Sequence, residues 1–364
     1  MIVTFPHMGH LDIVLETLLS GLGCRVKVPP PVTKRTLELG TKYSPETVCL
    51  PFKILLGNFI EALETGADTI LTCGGTGPCR LGYYAAVQQG ILKQLGYSCD
   101  FIAIEPTVRH AYQILRQVAP RKSWRDIYRA FCLAGSKMRA LDSLAAKGMD
   151  IRPREQTSGA ADRILRQAGD DIREAQDTRA VDRLLREAAG LLEGVQLQSD
   201  VIPLRIGLIG EIYVMLEPFV NQSLVRQLSG MGVEVHQTLN LTSYVDCHLL
   251  HKPSLLARRR EIMTLAKPYL GHYVGGHGIN GIGHTLELGR KGVDGMIHVF
   301  PFTCMPEVVV KNILPRVSQD TGLPVLSLAF DEQTGEAGVI TRLEAFVDLL
   351  RRRRQARQDC ISGG

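Results

Sequence analysis

The sequence predicts an α/β protein: two Rossmann-like lobes built on parallel sheets, with a helical insert between them. Short strand-like apolar runs alternate with helix-like runs near the start of the chain and again after residue 203, which is the rhythm of βαβ units. The stretch between them has no convincing strand. The length, 364 residues with 45% hydrophobic content, is enough to bury more than one core. The predicted division is 1–106 for an N-terminal α/β lobe, 107–202 for the insert and 203–364 for a C-terminal α/β lobe.

In the first lobe, Ile2–Phe5, Arg25–Pro29, Thr69–Cys73 and Phe101–Glu105 read as buried strands. Leu11–Gly21, Pro51–Thr65 and Leu81–Leu95 have helical apolar spacing. Pro51 suits a first helical position, because its missing N–H is not needed there. In the insert, Arg109–Val118, Ser123–Ala146 and Asp162–Leu192 carry apolar residues three and four apart among many charges, the pattern of solvated helical faces. The last lobe offers strands at Arg205–Ile209, Val233–His236, Gly295–Phe300 and Pro324–Ala329. Its helices are expected at Phe219–Ser229, Pro253–Lys267, Gly281–Lys291, Pro306–Thr321 and Glu336–Arg353.

The composition narrows the function. A formal charge of +5 does not mark a nucleic-acid binder, and the single Trp124 and scattered tyrosines offer no platform for single-stranded nucleic acid. No run of about 18 apolar residues predicts a membrane span. Met1–Pro6 reads as a strand and not as a signal peptide, so a reducing, cytoplasmic setting is expected for the nine cysteines. Free thiols or metal ligation are then expected in place of a disulfide framework.

Three cysteines share a local context. Cys49 in Ser44–Lys53, Cys79 in Cys73–Arg80 and Cys304 in Pro301–Glu307 each lie where a strand-like run meets a helix-like run. In an α/β fold such junctions gather along one edge of a sheet, and thiols from the two lobes would meet in the cleft between them. A helix N-terminus favours a thiolate, and the Gly74–Arg80 loop can bring backbone close to an anion or an inorganic cluster. That loop matches neither a P-loop nor a dinucleotide fingerprint. Metal or cluster ligation competes there with a tight turn holding an incidental thiol. Cys73 is a possible fourth ligand or a core thiol. Cys24, Cys99, Cys132 and Cys247 read as buried inert thiols, and Cys360 lies on a tail.

Other polar residues are candidates for the same edge. His277 and His284, among the glycines of 275–284, and His272 just before them could bind a metal, carry a proton or line an anion pocket in a cleft. His7 and His10 follow the first strand. Glu211 and Glu217 flank Tyr213 and could act as acid, base or helix cap.

At these residues the chain resembles the 2-hydroxyacyl-CoA dehydratase superfamily, in its activase-related, CoA-activase-like branch, related to dehydratase cluster subunits and double-cubane cluster proteins. The carrying segments are Pro29–Lys34, Ser44–Lys53, Gly57-Asn58, Gly74–Tyr84, Gly210–Tyr213, Glu217–Asn221, Gly283-His284 and Pro301–Glu307. The resemblance implies a 4Fe–4S cluster held by Cys49, Cys79 and Cys304 with one iron open. It implies reduction by a separate ATP-hydrolysing activase of actin-like fold. In true dehydratases that electron passes to a 2-hydroxyacyl-CoA, and a ketyl radical then expels hydroxide.

No actin-like ATPase sequence is present, so the chain is expected to be a partner of the activase and not the activase itself. An acyl-CoA pocket has no assigned residues. The leading reading is an iron–sulfur protein that takes low-potential electrons for a reduction or dehydration of a small molecule. The alternative is a non-catalytic electron-transfer or scaffold subunit, as a homo- or heterodimer. A third is a zinc or metal-free α/β binding protein.

Overall fold

A computed structural model of the protein describes residues 1–75, 78–104, 108–199 and 201–362. Its elements run β1 (Ile2–Thr4), α1 (Leu11–Gly21), β2 (Arg25–Val26), α2 (Lys34–Tyr43), α3 (Leu50–Glu64), β3 (Thr69–Cys73), α4 (Tyr84–Gln94) and β4 (Asp100–Ile104). The helices α5 (Val108–Val118), α6 (Trp124–Ile151), α7 (Ala160–Glu174) and α8 (Thr178–Glu193) follow. The chain continues with β5 (Leu204–Gly210), α9 (Ile212–Leu216), α10 (Leu224–Gly230), β6 (Val233–Gln237), α11 (Leu241–His248) and α12 (Pro253–Ala266). It ends with α13 (Gly278–Arg290), β7 (Gly295–Pro301), α14 (Met305–Thr321), β8 (Val325–Phe330) and α15 (Glu336–Ser362).

The fold class is as the sequence predicts. There are two four-stranded sheets, ordered β2-β1-β3-β4 and β6-β5-β7-β8, and every pairing is parallel. Parallel strands covered on both faces need apolar residues on both, and all seven residues of β7 are buried. The first sheet packs Val3, Phe5, Leu71 and Ile102 against Leu19, Leu22 and Ile127. The second packs Ile209 and Met296 against Ile282, Val310, Leu314 and Val317.

The chain divides into two compact units. One holds Met1–Asp142, Gly169–Arg186 and Leu241–Lys252; the other holds Ser143–Ala168, Glu187–Asn240 and Pro253–Gly364. Each α/β sheet lies in one unit, while segments of α6, α7 and α8 are assigned to both. No helix among the described residues is long and apolar enough to cross a membrane.

Several elements differ from the sequence reading for identifiable reasons. The second strand stops at Val26, short of the Pro29–Pro31 run that has no N–H groups for a ladder. The charged run 162–192 is two helices: Asp177 accepts from the Ala180 amide at 2.8 Å and caps the second. Helices α2, α9 and α11 were not anticipated. The helix expected from Gly281 begins at Gly278, and its glycines serve packing and not turning. A Cβ at Gly283 would sit 2.1 Å from the carbonyl oxygen of Ile262 in α12.

Candidate functional site

In the N-terminal unit the site is built on a close helix pair. Helices α2 and α3 cross at two glycines: a Cβ at Gly40 would lie 1.8 Å from the Lys53 carbonyl oxygen, and one at Gly57 1.9 Å from that of Thr36. Thr33 and Thr36 form a reciprocal capping box at the start of α2. The Thr36 hydroxyl donates to Glu61 at 2.6 Å, and Arg35 pairs with Glu64 at 2.7 Å. These bonds fasten the end of the helix pair away from the 44–49 turn, and the Gly40–Lys53 contact lies between them and the turn.

Cys49 emerges from that turn as the N-cap of α3, with φ −72° and ψ 153°, and its sulfur makes no capping bond. The thiol is buried and hydrogen-bonded to the Tyr84 hydroxyl, while the Tyr84 ring meets Phe52 edge-on at 5.0 Å. Gln88 donates to the Phe52 carbonyl at 3.3 Å, so α4 is fastened to the first turn of α3. Lys53, in that same turn, is buried too.

Cys79 also occupies an N-cap, that of a short 3-10 turn over Arg80–Tyr83, and its sulfur makes no capping bond. Arg80 donates to the Thr47 carbonyl at 2.9 Å, which ties the Cys79 loop to the Cys49 turn. Gly82 is required there, because a Cβ would stand 2.5 Å from the Gly75 carbonyl oxygen. Thr76 and Gly77 of the predicted glycine loop lie outside the described residues. Cys73 ends β3 with part of its surface exposed, while packing around its sulfur pushes the thiol up from its ordinary range. His7 donates its amide to Asn58 at 3.1 Å, which brings the loop after β1 onto α3; His10 is the N-cap of α1.

In the C-terminal unit, Cys304 is the N-cap of α14, buried and again without a capping bond. It follows Thr303, whose φ of 68° lies in the left-handed region that a β-branched residue rarely enters. Such strain is kept where the surrounding fold imposes it. Here the Phe302 amide donates to Phe330 at 2.7 Å and the Cys304 amide to Pro301 at 3.0 Å. The predicted histidine loop reaches the same helix start: a Cβ at Gly276 or Gly278 would contact Pro306 at 3.5 or 3.3 Å, and His277 caps α13.

A fully buried pair fixes α14 to the sheet. His298 of β7 lies 2.9 Å from Glu307 in the first turn, and its other ring nitrogen is 3.3 Å from the Ser327 hydroxyl. Removing one partner of such a pair leaves a buried polar group unsatisfied, so it constrains geometry more than it adds stability. The sequence reading missed His298, Lys53 and Tyr84. A histidine inside Met296–Phe300 and a lysine inside Leu50–Leu56 were the available signals.

Glu211 is the N-cap of α9 and accepts from the Val214 amide at 3.0 Å, the capping role weighed from sequence. Gly210 precedes it at φ 147°, where a Cβ would strike the Val299 carbonyl oxygen, and the Glu211 amide donates to that oxygen at 3.1 Å. Burial pushes the Glu211 carboxyl up to about 7, with the Glu307 charge adding to it. Burial, then Glu217 and Glu211, raises Tyr213 well above the usual tyrosine range, so its hydroxyl stays protonated.

A carboxyl that ionises less readily in the folded chain than in the unfolded one stabilises the fold in acid. That contribution is lost as pH rises from the ordinary glutamate range to about 7. Glu211→Gln is expected to remove a fall in stability on the order of 2–3 kcal/mol over that window. Urea unfolding at a series of pH values measures it; an unchanged pH slope in the variant contradicts the assignment.

His284 does not join Cys304. It sits two turns further along α13 than His277 and lines a cavity of about 320 Å³ with Asp150, His236 and Glu287. Burial, aided by Arg258 and Lys291, holds it down to about 4, so it is neutral near pH 7. None of the described cysteines is in a disulfide. Cys24, Cys99, Cys132 and Cys247 are half-buried, less enclosed than expected. Among the described residues no group of three or more His, Cys, Asp or Glu is arranged to hold a metal ion.

The fold and the thiols define a class: a double parallel-sheet α/β protein whose three junction cysteines all stand at helix N-caps. Residues 7–240 match the family model described as CoA enzyme activase uncharacterised domain (DUF2229), more than half of the chain. The chain belongs to that family. The match includes Cys49, Cys79 and Glu211 and ends before Cys304. No curated protein matches the chain.

Proposed function

We propose that the chain is an iron–sulfur protein in which Cys49, Cys79 and Cys304 hold a 4Fe–4S cluster, and that it receives electrons from an ATP-hydrolysing activase. The observation that carries this reading is that all three cysteines occupy N-cap positions with extended backbone. The chemistry of the three side chains supports it: none is in a disulfide, Cys49 and Cys304 stand at the starts of long helices where amide dipoles favour the thiolate, and thiolates are what such clusters require. When bound, the cluster would supply one-electron chemistry at low potential.

The chain's own residues have definable tasks in this reading. The Tyr84 hydroxyl donates to the Cys49 sulfur once that sulfur is a thiolate, and Phe52 and Tyr84 exclude water from it. Arg80 keeps the two N-terminal loops in register. The His298–Glu307 pair and the strained Thr303 turn fix the direction of Cys304. Glu211, poised near neutrality, can hold or release a proton, and the protonated Tyr213 can donate a hydrogen bond beside it. These two supply an acid or base for a reductive or dehydrating reaction, the sense in which the chain resembles 2-hydroxyacyl-CoA dehydratase subunits.

Anaerobic reconstitution with iron and sulfide, followed by metal analysis and EPR with and without dithionite, tests the assignment. About four irons per chain and a signal on reduction are expected. A colourless product, or zinc in place of iron, refutes it.

A further inference from the structure

We infer that the exposed face formed by α5 and the first turns of α6 is a docking surface for an acidic protein partner. Trp124, Tyr128 and Phe131 project from α6 with 65%, 71% and 47% of their surfaces exposed. At about 100° per residue they fall within an arc of about 60°, so they form a ridge along the helix and not a scatter. Ile127, Ala130 and Ala134 form the buried face beside it. Tyr112 of α5, itself half exposed, stacks on Trp124 with ring centroids 6.4 Å apart and planes 19° from parallel. The stacked pair is ordered before any partner arrives, which lowers the entropy lost on binding.

The charges around the ridge choose the occupant. Arg121, Lys122, Arg125 and Arg129 are all exposed, and among the described residues none of their side chains makes a hydrogen bond or ion pair; Lys122 and Arg129 add only a long-range charge effect to the Ser123 hydrogen bond that holds the Asp126 carboxyl down. Arg125 and Arg129 lie along the edge of the ridge away from the buried face. Asp126 is the one acid among them, and it is engaged with Ser123 at the helix start at 2.7 Å. Exposed aromatics edged by unpaired arginines have the composition of an interface centre, where Trp, Tyr and Arg dominate binding. A ridge about 10 Å long on one helix matches an apolar groove, and the unpaired cations call for carboxylates along its rim. Nucleic acid fits less well: the cations edge one side of a short ridge and do not follow a strand's backbone. The partner is then an acidic face of the activase, an identification that rests on the reading above but not on the cluster.

Trp124 is the only tryptophan in the chain, so 5-fluorotryptophan labelling gives a single ¹⁹F resonance at the centre of the ridge. Adding the unlabelled ATP-hydrolysing activase of the same organism is expected to shift or broaden that line. The double variant Arg125→Glu, Arg129→Glu should weaken binding at least ten-fold, as should Tyr128→Ala with Phe131→Ala. All four side chains are exposed, so unchanged circular dichroism and thermal midpoints check that the variants fold. A line unmoved by saturating activase overturns the proposal, as does equal binding by the charge-reversed variant. So does a line moved only by a single-stranded RNA dodecamer or by phosphatidylserine vesicles. Iron analysis of the same sample separates the two ideas. Docking by an iron-free chain supports the surface while refuting the cluster. A loaded chain whose line stays still keeps the cluster and loses the surface.

Discussion

Replacing Cys49 or Cys304 with alanine is expected to bring the iron content of anaerobically reconstituted protein from about four per chain to near zero. Each substitution removes one sulfur from a buried N-cap position and leaves the backbone conformation accessible to alanine. Loss of stability should stay near 1 kcal/mol for Cys304, the scale of losing one buried heavy atom, and reach about 1–3 kcal/mol for Cys49, whose removal also takes a hydrogen bond from the buried Tyr84 hydroxyl. Iron loss from a chain whose urea midpoint barely moves therefore reports ligation and not unfolding. Cys79→Ala should behave in the same way, whereas Cys132→Ala, on α6, should retain full iron. The distinction matters because a generally destabilised apoprotein would also lose metal. If Cys49→Ala binds as much iron as the parent, the three-thiolate assignment is wrong.

Gly57→Ala should be the most damaging single methyl in the N-terminal unit. Helix propensity argues the other way, since alanine in place of an interior glycine favours a helix by about 1 kcal/mol. The added Cβ, however, would sit 1.9 Å from the carbonyl oxygen of Thr36, a backbone atom that no rotamer change can move. Helices α2 and α3 must then separate, and a net destabilisation of about 3 kcal/mol or more is expected. Gly90→Ala in α4 is the matched control. Nothing lies within 4 Å of its Cβ, so propensity alone should act and stabilise by roughly 0.5–1 kcal/mol. Urea unfolding of the two variants gives opposite shifts if the crossing is as tight as described. Because the 44–49 turn hangs from this crossing, Gly57→Ala should also reduce iron uptake.

The fold class was legible because fully buried parallel strands are almost unbroken apolar runs, and β3, β5 and β7 read that way directly. The thiol junctions were legible for a related reason: Pro51 and Pro306 mark helix starts, which puts Cys49 and Cys304 one step outside them. What the sequence hid was long-range. That Gly40 and Gly57 oppose each other depends on two helices meeting, and either glycine alone looks like a weak spot in a helix. The glycines of 275–284 serve two ends that look alike in sequence: Gly275 and Gly276 turn the chain at φ 97° and 50°, while Gly283 lets α13 approach α12 closely. The Cys49–Tyr84 contact spans 35 residues and His298–Glu307 joins a strand to the helix after it; neither has a spacing rule that would reveal it. The four cations near Trp124 read as an ordinary solvated helix face until the structure showed the aromatic ridge between them and the core.

Sulfur at an N-cap has a thermodynamic side. A serine or aspartate at Cys49 or Cys304 could accept a hydrogen bond from the first-turn amides and steady the helix by about 1 kcal/mol, which these cysteines do not do. The chain is thus less stable than its own backbone permits at these two helix starts, where the proposed cluster would engage the sulfurs. Under the proposed ligation the chain would regain stability on loading, which would make occupancy and resistance to unfolding two readings of one equilibrium.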